Sequence, residues 1–247
     1  MGDKVALVTG GAGGIGGALA AALAGAGHRV AVADLDGAAA VEHARTFGGL
    51  GLGMDVGDQD SVRAAVGATV TELGSIDVLV HAAGVVGGGG PLLALPVEVV
   101  DQVLAVNVRG TFLITQAVGE VMASAGRGGS IVHISSAGSF APTVGLGHYE
   151  ASKAAMNALT RSAALELARF GIRVNAIAPG PVETPLTAAA MRDDQAKAFW
   201  TQRIPLGRIA QTSDLVPIVL LLASGEAAHI TGTVLPVDGG QLLGSSA

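Results

Sequence analysis

Val5-Ala6-Leu7-Val8-Thr9-Gly10-Gly11-Ala12-Gly13-Gly14-Ile15-Gly16, residues 5–16, decides how the rest of the chain is read. Four apolar residues in a row describe a strand buried on both faces. The run ends in a cluster of glycines, and residues 17–26 continue in a helical pattern of Ala and Leu. Glycines there let the backbone turn tightly and approach a diphosphate, and the helix that follows offers its free N–H groups and positive end to the charge. Spacing alone carries little weight. With 38 glycines among 247 residues, three fixed glycines fall into register by chance at about one place in the chain. The placement between a first strand and a first helix is what points to a dinucleotide.

Outward from this stretch, short apolar runs alternate with helical ones. The runs are residues 5–8, 30–33, 76–80, 131–134, 172–178 and 232–237, with helical patterns near 15–26, 58–73, 97–125, 149–170 and 212–223. The apolar runs are continuous rather than alternating, as in a parallel sheet covered by helices on both faces. The sequence therefore predicts a single doubly wound, Rossmann-type α/β domain over residues 1–247 with right-handed crossovers. Gly87-Gly88-Gly89-Gly90-Pro91 is a loop, since the pattern continues on both sides. Residues 181–205, with Pro181, Pro185 and Pro205 and no buried-strand character, are expected to form a lid-like insertion over the site.

Composition excludes several classes. The chain has no cysteine, so disulfides and thiolate metal sites are ruled out. The net charge of -6, without a Lys/Arg cluster, argues against a nucleic-acid partner. The longest apolar run near the C-terminus, residues 215–223, contains Pro217 and falls far short of the ~20 residues a span needs. No leader is visible before residue 5, and a cytoplasmic enzyme is expected. Asp55, Asp58 and Asp60 do not have calcium-loop spacing, and Asp58 reads as a helix cap. The histidines show no His-Glu-x-x-His pattern, and no metal is expected.

The second apolar run ends in Ala33-Asp34-Leu35, 18 residues beyond Gly16. A carboxylate there accepts hydrogen bonds from ribose hydroxyls and repels a 2′-phosphate, and no Arg or Lys adjoins it. NAD is predicted over NADP. Tyr149 is the chain's only tyrosine, and Lys153 is one of few lysines. On a helix, residues four apart share a face. A neighbouring ammonium is expected to lower the pKa of a phenol, which then exchanges a proton with a substrate hydroxyl.

Tyr149-Glu150-Ala151-Ser152-Lys153, with Ser136 thirteen residues before Tyr149, resembles the classical short-chain dehydrogenase/reductase family. Gly10, Gly14, Ile15 and Gly16 resemble its cofactor motif. Asn107 in Asn107-Val108-Arg109-Gly110 resembles its fourth catalytic position, and Asp55-Val56 its adenine contact. Pro179-Gly180, Val182 and Thr184 resemble the segment that meets the nicotinamide carboxamide, and Val237-Asp238-Gly239-Gly240 the family's final strand ending. The match runs in order along nearly the whole chain.

The resemblance implies that Tyr149 is the general acid/base. Lys153 would lower its pKa and hold the nicotinamide ribose, Ser136 would stabilise the substrate oxygen, and Asn107 would hold a water in a proton path through Lys153. Leu35, Ala82, Ala83 and Gly84 complete the implied cofactor set, and Ser135 is left as a packing residue. One departure stands out. Where the family usually carries Asn-Asn-Ala-Gly, this chain has His81-Ala82-Ala83-Gly84. His81 either replaces part of the missing amide or is a satisfied buried histidine, the more usual fate of a lone His. His148 either faces substrate or is exposed.

The sequence thus predicts an NAD-dependent alcohol dehydrogenase or ketone reductase acting on a small-molecule alcohol or ketone. Ser136, Ala137, His148 and Leu186 are candidate substrate contacts. The walls at 137–148 and 186–200 are mostly apolar, which favours a hydrophobic or cyclic substrate. A 3-oxoacyl-carrier-protein-type reductase shares the architecture, but Asp34 argues against the NADPH it usually needs. A non-catalytic dinucleotide-binding redox sensor or a structural oligomer leaves the Ser136/Tyr149/Lys153/Asn107 set unexplained. The Ala-rich face of helix 149–170 suggests, by the same resemblance, a homotetramer.

Overall fold

The computed structural model describes residues 4–184, 187 and 194–244. In chain order the elements are β1 (Val5–Thr9), α1 (Gly14–Gly25), β2 (Arg29–Asp34), α2 (Gly37–Arg45), β3 (Leu50–Gly53), α3 (Gln59–Leu73), β4 (Val78–His81) and α4 (Val97–Leu104). They continue with α5 (Gly110–Ala125), β5 (Gly129–Ile134), α6 (Gly147–Leu167), β6 (Ile172–Pro179), β7 (Val182–Glu183), α7 (Asp194–Thr201), β8 (Ala210–Gln211), α8 (Thr212–Ala223) and β9 (Val234–Val237). Seven strands pair in parallel in the order β3-β2-β1-β4-β5-β6-β9, which is the doubly wound sheet the alternation predicts. The order reverses between β1 and β4, where an open α/β sheet leaves a crevice for a ligand at its carboxyl edge.

The continuous apolar runs follow from the two faces. Ala6, Val8, Val32, Val80 and Val132 pack with Leu19 and Leu23 of α1 and Leu215, Val219 and Leu222 of α8. The intervening Leu7, Leu79 and Ile131 pack on the other side with Val62 and Val66 of α3 and Ile114, Val118 and Met122 of α5. Each fully buried side chain of this size stabilises the fold by about 1.5–3 kcal/mol.

Several boundaries differ from the sequence expectations. The run at 76–80 yields a strand only from Val78, and that at 232–237 only from Val234; β9 is an edge strand with half-exposed and exposed residues. The helical pattern 97–125 is two helices joined by a π-helical turn, Ala105–Arg109. Residues 181–205 contain α7, and β7 pairs with β8 in a small second sheet. Strand β3, of sequence Leu-Gly-Leu-Gly, and helix α2 are additions to the expected elements.

Helix α2 starts where Asp36 caps the Ala39 N–H at 3.0 Å, and it lies directly on β3. A Cβ at Gly51 would stand 2.3 Å from the Val41 Cα, so only glycine lets helix and strand meet. Gly51→Ala is expected to destabilise the protein by about 2 kcal/mol or more, because backbone rather than a movable side chain blocks the methyl. Urea unfolding measures this, and an unchanged midpoint would remove α2 from its place on β3.

Candidate active site

The strand ends bring the glycine cradle together. Gly10 adopts a left-handed φ of 63°, and a Cβ there would lie 2.7 Å from the Ala83 backbone at the end of β4. A Cβ at Gly16 would lie 2.2 Å from the Gly10 carbonyl oxygen. Gly14 faces Thr184 across the cleft, with 3.9 Å between its virtual Cβ and that of Thr184. Gly13 caps α1 without a side-chain bond, and no acidic residue stands in the first turn. The first amides of α1, including those of Ile15 and Gly16, thus keep their positive field for an anion.

At the end of β2, Asp34 Oδ2 accepts from the Ala12 N–H at 3.1 Å, which ties this carboxylate to the cradle. Leu35 beside it is 77% exposed, and no cation adjoins it. Asp55 is exposed and accepts from the Gly57 N–H at 2.8 Å, while the Val56 side chain is buried against Gly110. A cradle that side chains would fill, an uncapped helix start and a carboxylate at the second strand's end fit the diphosphate and ribose of a dinucleotide.

The predicted catalytic groups stand beside the cradle. Tyr149 and Lys153 lie one turn apart on α6, with the Lys153 Nζ 5.8 Å from the centre of the phenol ring. Lys153 is only 4% exposed; its Nζ donates to the Ile134 carbonyl at 2.9 Å, and burial lowers its pKa to about 8. Burial raises the Tyr149 pKa above its ordinary value, hydrogen bonding with Ser136 opposes this, and Glu150 adds to the rise. Loss of solvent around the phenol is the largest cause of that rise. Ser136 lies two residues beyond the end of β5 and caps a short turn, its Oγ accepting from the Gly138 N–H at 3.1 Å.

Asn107 sits fully buried in the π-helical turn between α4 and α5, a widening often found at functional sites. Its Nδ2 donates to the Val85 carbonyl at 2.8 Å and to Ser152 Oγ at 2.9 Å, and its Oδ1 accepts from the Val85 N–H at 2.9 Å. Ser152 in turn donates to the Tyr149 carbonyl at 2.6 Å. A Cβ at Gly84 would stand 3.2 Å from both Asn107 Oδ1 and Lys153 Nζ. Ser135 is a packing residue, as expected, buried with its Oγ 2.6 Å from Asn157 Oδ1.

Ala82, Ala83 and Gly84 line the end of β4, half-buried. Pro179 ends β6, and Gly180, Val182 and Thr184 follow it on the other side of the cleft. Of the substrate candidates, Ala137 is buried in the turn after Ser136, and His148 is 8% exposed with its Nε2 2.9 Å from the Val86 carbonyl. Leu186 lies outside the described residues. His81 has both ring nitrogens paired, which favours the satisfied-histidine alternative.

Ser152 and Glu150 are structural partners of the site that were not singled out from sequence. Ser152 carries a signal, since it is three residues beyond Tyr149 on the same helix face. Glu150 carries none; its Oε1 accepts from the Thr143 N–H at 2.6 Å and holds the 137–146 wall. Among the described residues no cluster of three His, Asp or Glu could hold a metal, and no helix is long and apolar enough to cross a membrane.

The chain is similar over nearly its whole length to known proteins. The family model described as Enoyl-(Acyl carrier protein) reductase matches residues 10–241. The 2-(R)-hydroxypropyl-CoM dehydrogenase of Xanthobacter autotrophicus is 39% identical over 245 residues, covering 96% of this chain and 98% of that protein. The human (3R)-3-hydroxyacyl-CoA dehydrogenase is 39% identical over 253 residues, covering 96% of this chain and 95% of that protein. A solved short-chain type dehydrogenase/reductase from Mycobacterium ulcerans superposes with a TM-score of 0.95 at 30% identity, over 98% of this chain and 91% of its own.

Burial has a consequence for acid stability. Desolvation lowers the His133 pKa to about 3, and the His81 pKa well below its ordinary value. Both groups take up a proton more readily once unfolded, near pH ~6.5. Stability is therefore expected to be full above that pH and to fall as pH drops through the window from ~6.5 towards the folded values. Urea unfolding at pH 7 and pH 5 should show the loss, and His133→Gln should flatten it by about one proton. A parent protein with no slope in this range would mean that these histidines titrate normally in the fold.

Proposed function

The chain belongs to the short-chain dehydrogenase/reductase family, and from that premise we propose that it is an NAD-dependent oxidoreductase interconverting a secondary alcohol and its ketone. The observation that carries this is the meeting of Ser136, Tyr149 and Lys153 at the strand ends beside the Gly10–Gly16 cradle. The cradle and the start of α1 would hold the dinucleotide diphosphate, and Asp34 the adenosine ribose. Lys153, with Pro179, Gly180, Val182 and Thr184, would border the nicotinamide end. Bound NAD supplies the hydride acceptor.

The chain's own residues manage the proton. Tyr149 takes the hydroxyl proton of the alcohol during oxidation and returns it to the ketone oxygen during reduction. Ser136 hydrogen-bonds that oxygen and stabilises its developing charge. Lys153, with a pKa near neutrality, exchanges protons at the rear of the site while Asn107 fixes the wall beside it. A phenol held above its ordinary pKa begins as the acid, the correct state for ketone reduction at neutral pH. Alcohol oxidation needs the phenolate first.

Asp34 supports NAD over NADP, since its carboxylate would meet a 2′-phosphate with no neighbouring cation. The exposed Phe140 and Phe199, in the 137–148 and 186–200 segments expected to wall the site, favour a hydrophobic or cyclic substrate. The absence of cysteine suits a cytoplasmic setting. Exposed Phe112 on α5 and Leu165 on α6 offer apolar surface for a homotetramer.

The test is NADH formation across secondary alcohols, polyols and hydroxysteroids. With a substrate in hand, Tyr149→Phe is expected to lower kcat by about 10²–10⁴-fold. Oxidation should speed up as pH rises towards the phenol pKa, while reduction should not. Turnover that survives Tyr149→Phe would remove Tyr149 as the acid/base. Kinetics with both dinucleotides test the cofactor, and a clear preference for NADP would overturn the role given to Asp34.

A further inference from the structure

His81 is fully buried, and its two hydrogen bonds have directions that can be assigned. The Thr111 hydroxyl has one proton, which it donates to the Asn107 carbonyl at 2.6 Å. Thr111 Oγ1 can then only accept from the imidazole, so His81 Nε2, 3.1 Å away, carries the ring proton. On the other side, Thr9 Oγ1 accepts from the Ala83 N–H at 3.2 Å and gives its own proton to His81 Nδ1 at 2.7 Å. The ring is neutral, with its proton on Nε2.

Its register partner on β5, His133, is assigned the opposite way. Thr160 spends its proton on the Met156 carbonyl at 2.8 Å, so His133 Nδ1 donates to Thr160 at 2.9 Å. Nε2 of His133 accepts from Thr115 at 2.9 Å.

The bonds of His81 close a ring. From Ala83 they run through Thr9, His81 and Thr111 to Asn107, and the Asn107 carboxamide grips Val85 on both its N–H and its carbonyl. Ala83 and Val85 flank Gly84, where an added Cβ would press at 3.2 Å on both the Asn107 and Lys153 heads. We propose that His81 is a positioning residue that, locked neutral with its proton on Nε2, sets the 83–85 segment and Asn107 in one closed hydrogen-bonded ring against Lys153. The charged or titratable groups facing it are His133 and Lys153, and both disfavour its protonation, as burial does more strongly. This inference rests on the dehydrogenase reading above.

Thr111→Val removes one hydroxyl at nearly constant volume and leaves His81 Nε2–H without an acceptor. Expected is a fall in kcat of about tenfold, with substrate KM changed less than about twofold and the alkaline limb of the kcat profile displaced. Thr111→Ser restores the hydroxyl and should recover kcat. Thr115→Val, which strips the partner of His133, should lower the melting temperature to a similar degree yet leave kcat and its pH profile unchanged. In ¹⁵N-histidine spectra of the unmodified protein, one buried ring should show Nε2–H and the other Nδ1–H from pH 6 to pH 8, which needs no turnover.

Equal kinetic effects of Thr111→Val and Thr115→Val would reduce His81 to a packing residue, and a His81 ring protonated on Nδ1 would break the ring of bonds. Either result overturns the proposal with the dehydrogenase reading intact. Failure of the unmodified protein to bind NAD or NADP by calorimetry would overturn the reading and the proposal together.

Discussion

The structure depends on the close approach of two backbones, the turn after β1 and the end of β4. Gly10 meets Ala83 at a distance that admits no side chain, and Gly16 meets the Gly10 carbonyl more closely still. This contact falls where the strand order reverses, so the sheet cannot cover its own carboxyl edge there and leaves a crevice. Once β1 and β4 are brought this close, the start of α1, the Asp34 carboxylate and the 82–85 segment all face one space. Helix α6, which carries Tyr149 and Lys153, reaches it because β5 pairs beside β4 and β6 beside β5.

Behind that crevice the protein buries a set of polar groups. His81, His133, Asn107, Thr9, Thr111, Thr160, Ser152 and Lys153 are all inside. Such groups are costly unless each donor finds an acceptor. Here nearly every one does, and the partners are neutral hydroxyls, amides and carbonyls. Lys153 is the one buried side chain among these that is ordinarily charged at neutral pH, and its ammonium rests on a carbonyl rather than a carboxylate. An acidic partner would have held its charge on. A carbonyl leaves burial to pull its pKa towards neutrality, where a group can give and accept protons at little cost.

Much of this was legible in the sequence, for physical reasons. A parallel strand covered on both faces must be apolar at every position, so the central strands announced themselves. The spacing of Tyr149 and Lys153 on one helix, and the placement of Ser136 at the end of a strand, carried the site. What escaped had weak or misleading local signals. β3 reads as a flexible Gly-rich loop because Gly51 is dictated by the approach of α2, a contact distant from local pattern. The π-helical turn at Asn107 looks like ordinary helix, because widening by one residue leaves the apolar pattern nearly intact. Ala137 and His148 lie in the expected wall, yet their burial depends on how the 137–146 segment folds back onto Glu150 and the 85–90 segment.

The same reasoning bears on the phenol. Sequence spacing places an ammonium near Tyr149 and suggests that charge must dominate. The structure sets that charge 5.8 Å from the ring centre, turned to the Ile134 carbonyl, while the phenol itself loses solvent. Attraction between charges falls with distance and is weakened further if the lysine is partly neutral, whereas desolvation acts on the phenol directly. The Ile134 carbonyl at the end of β5 takes one of the ammonium's three N–H donors and so fixes where that charge stands relative to the phenol.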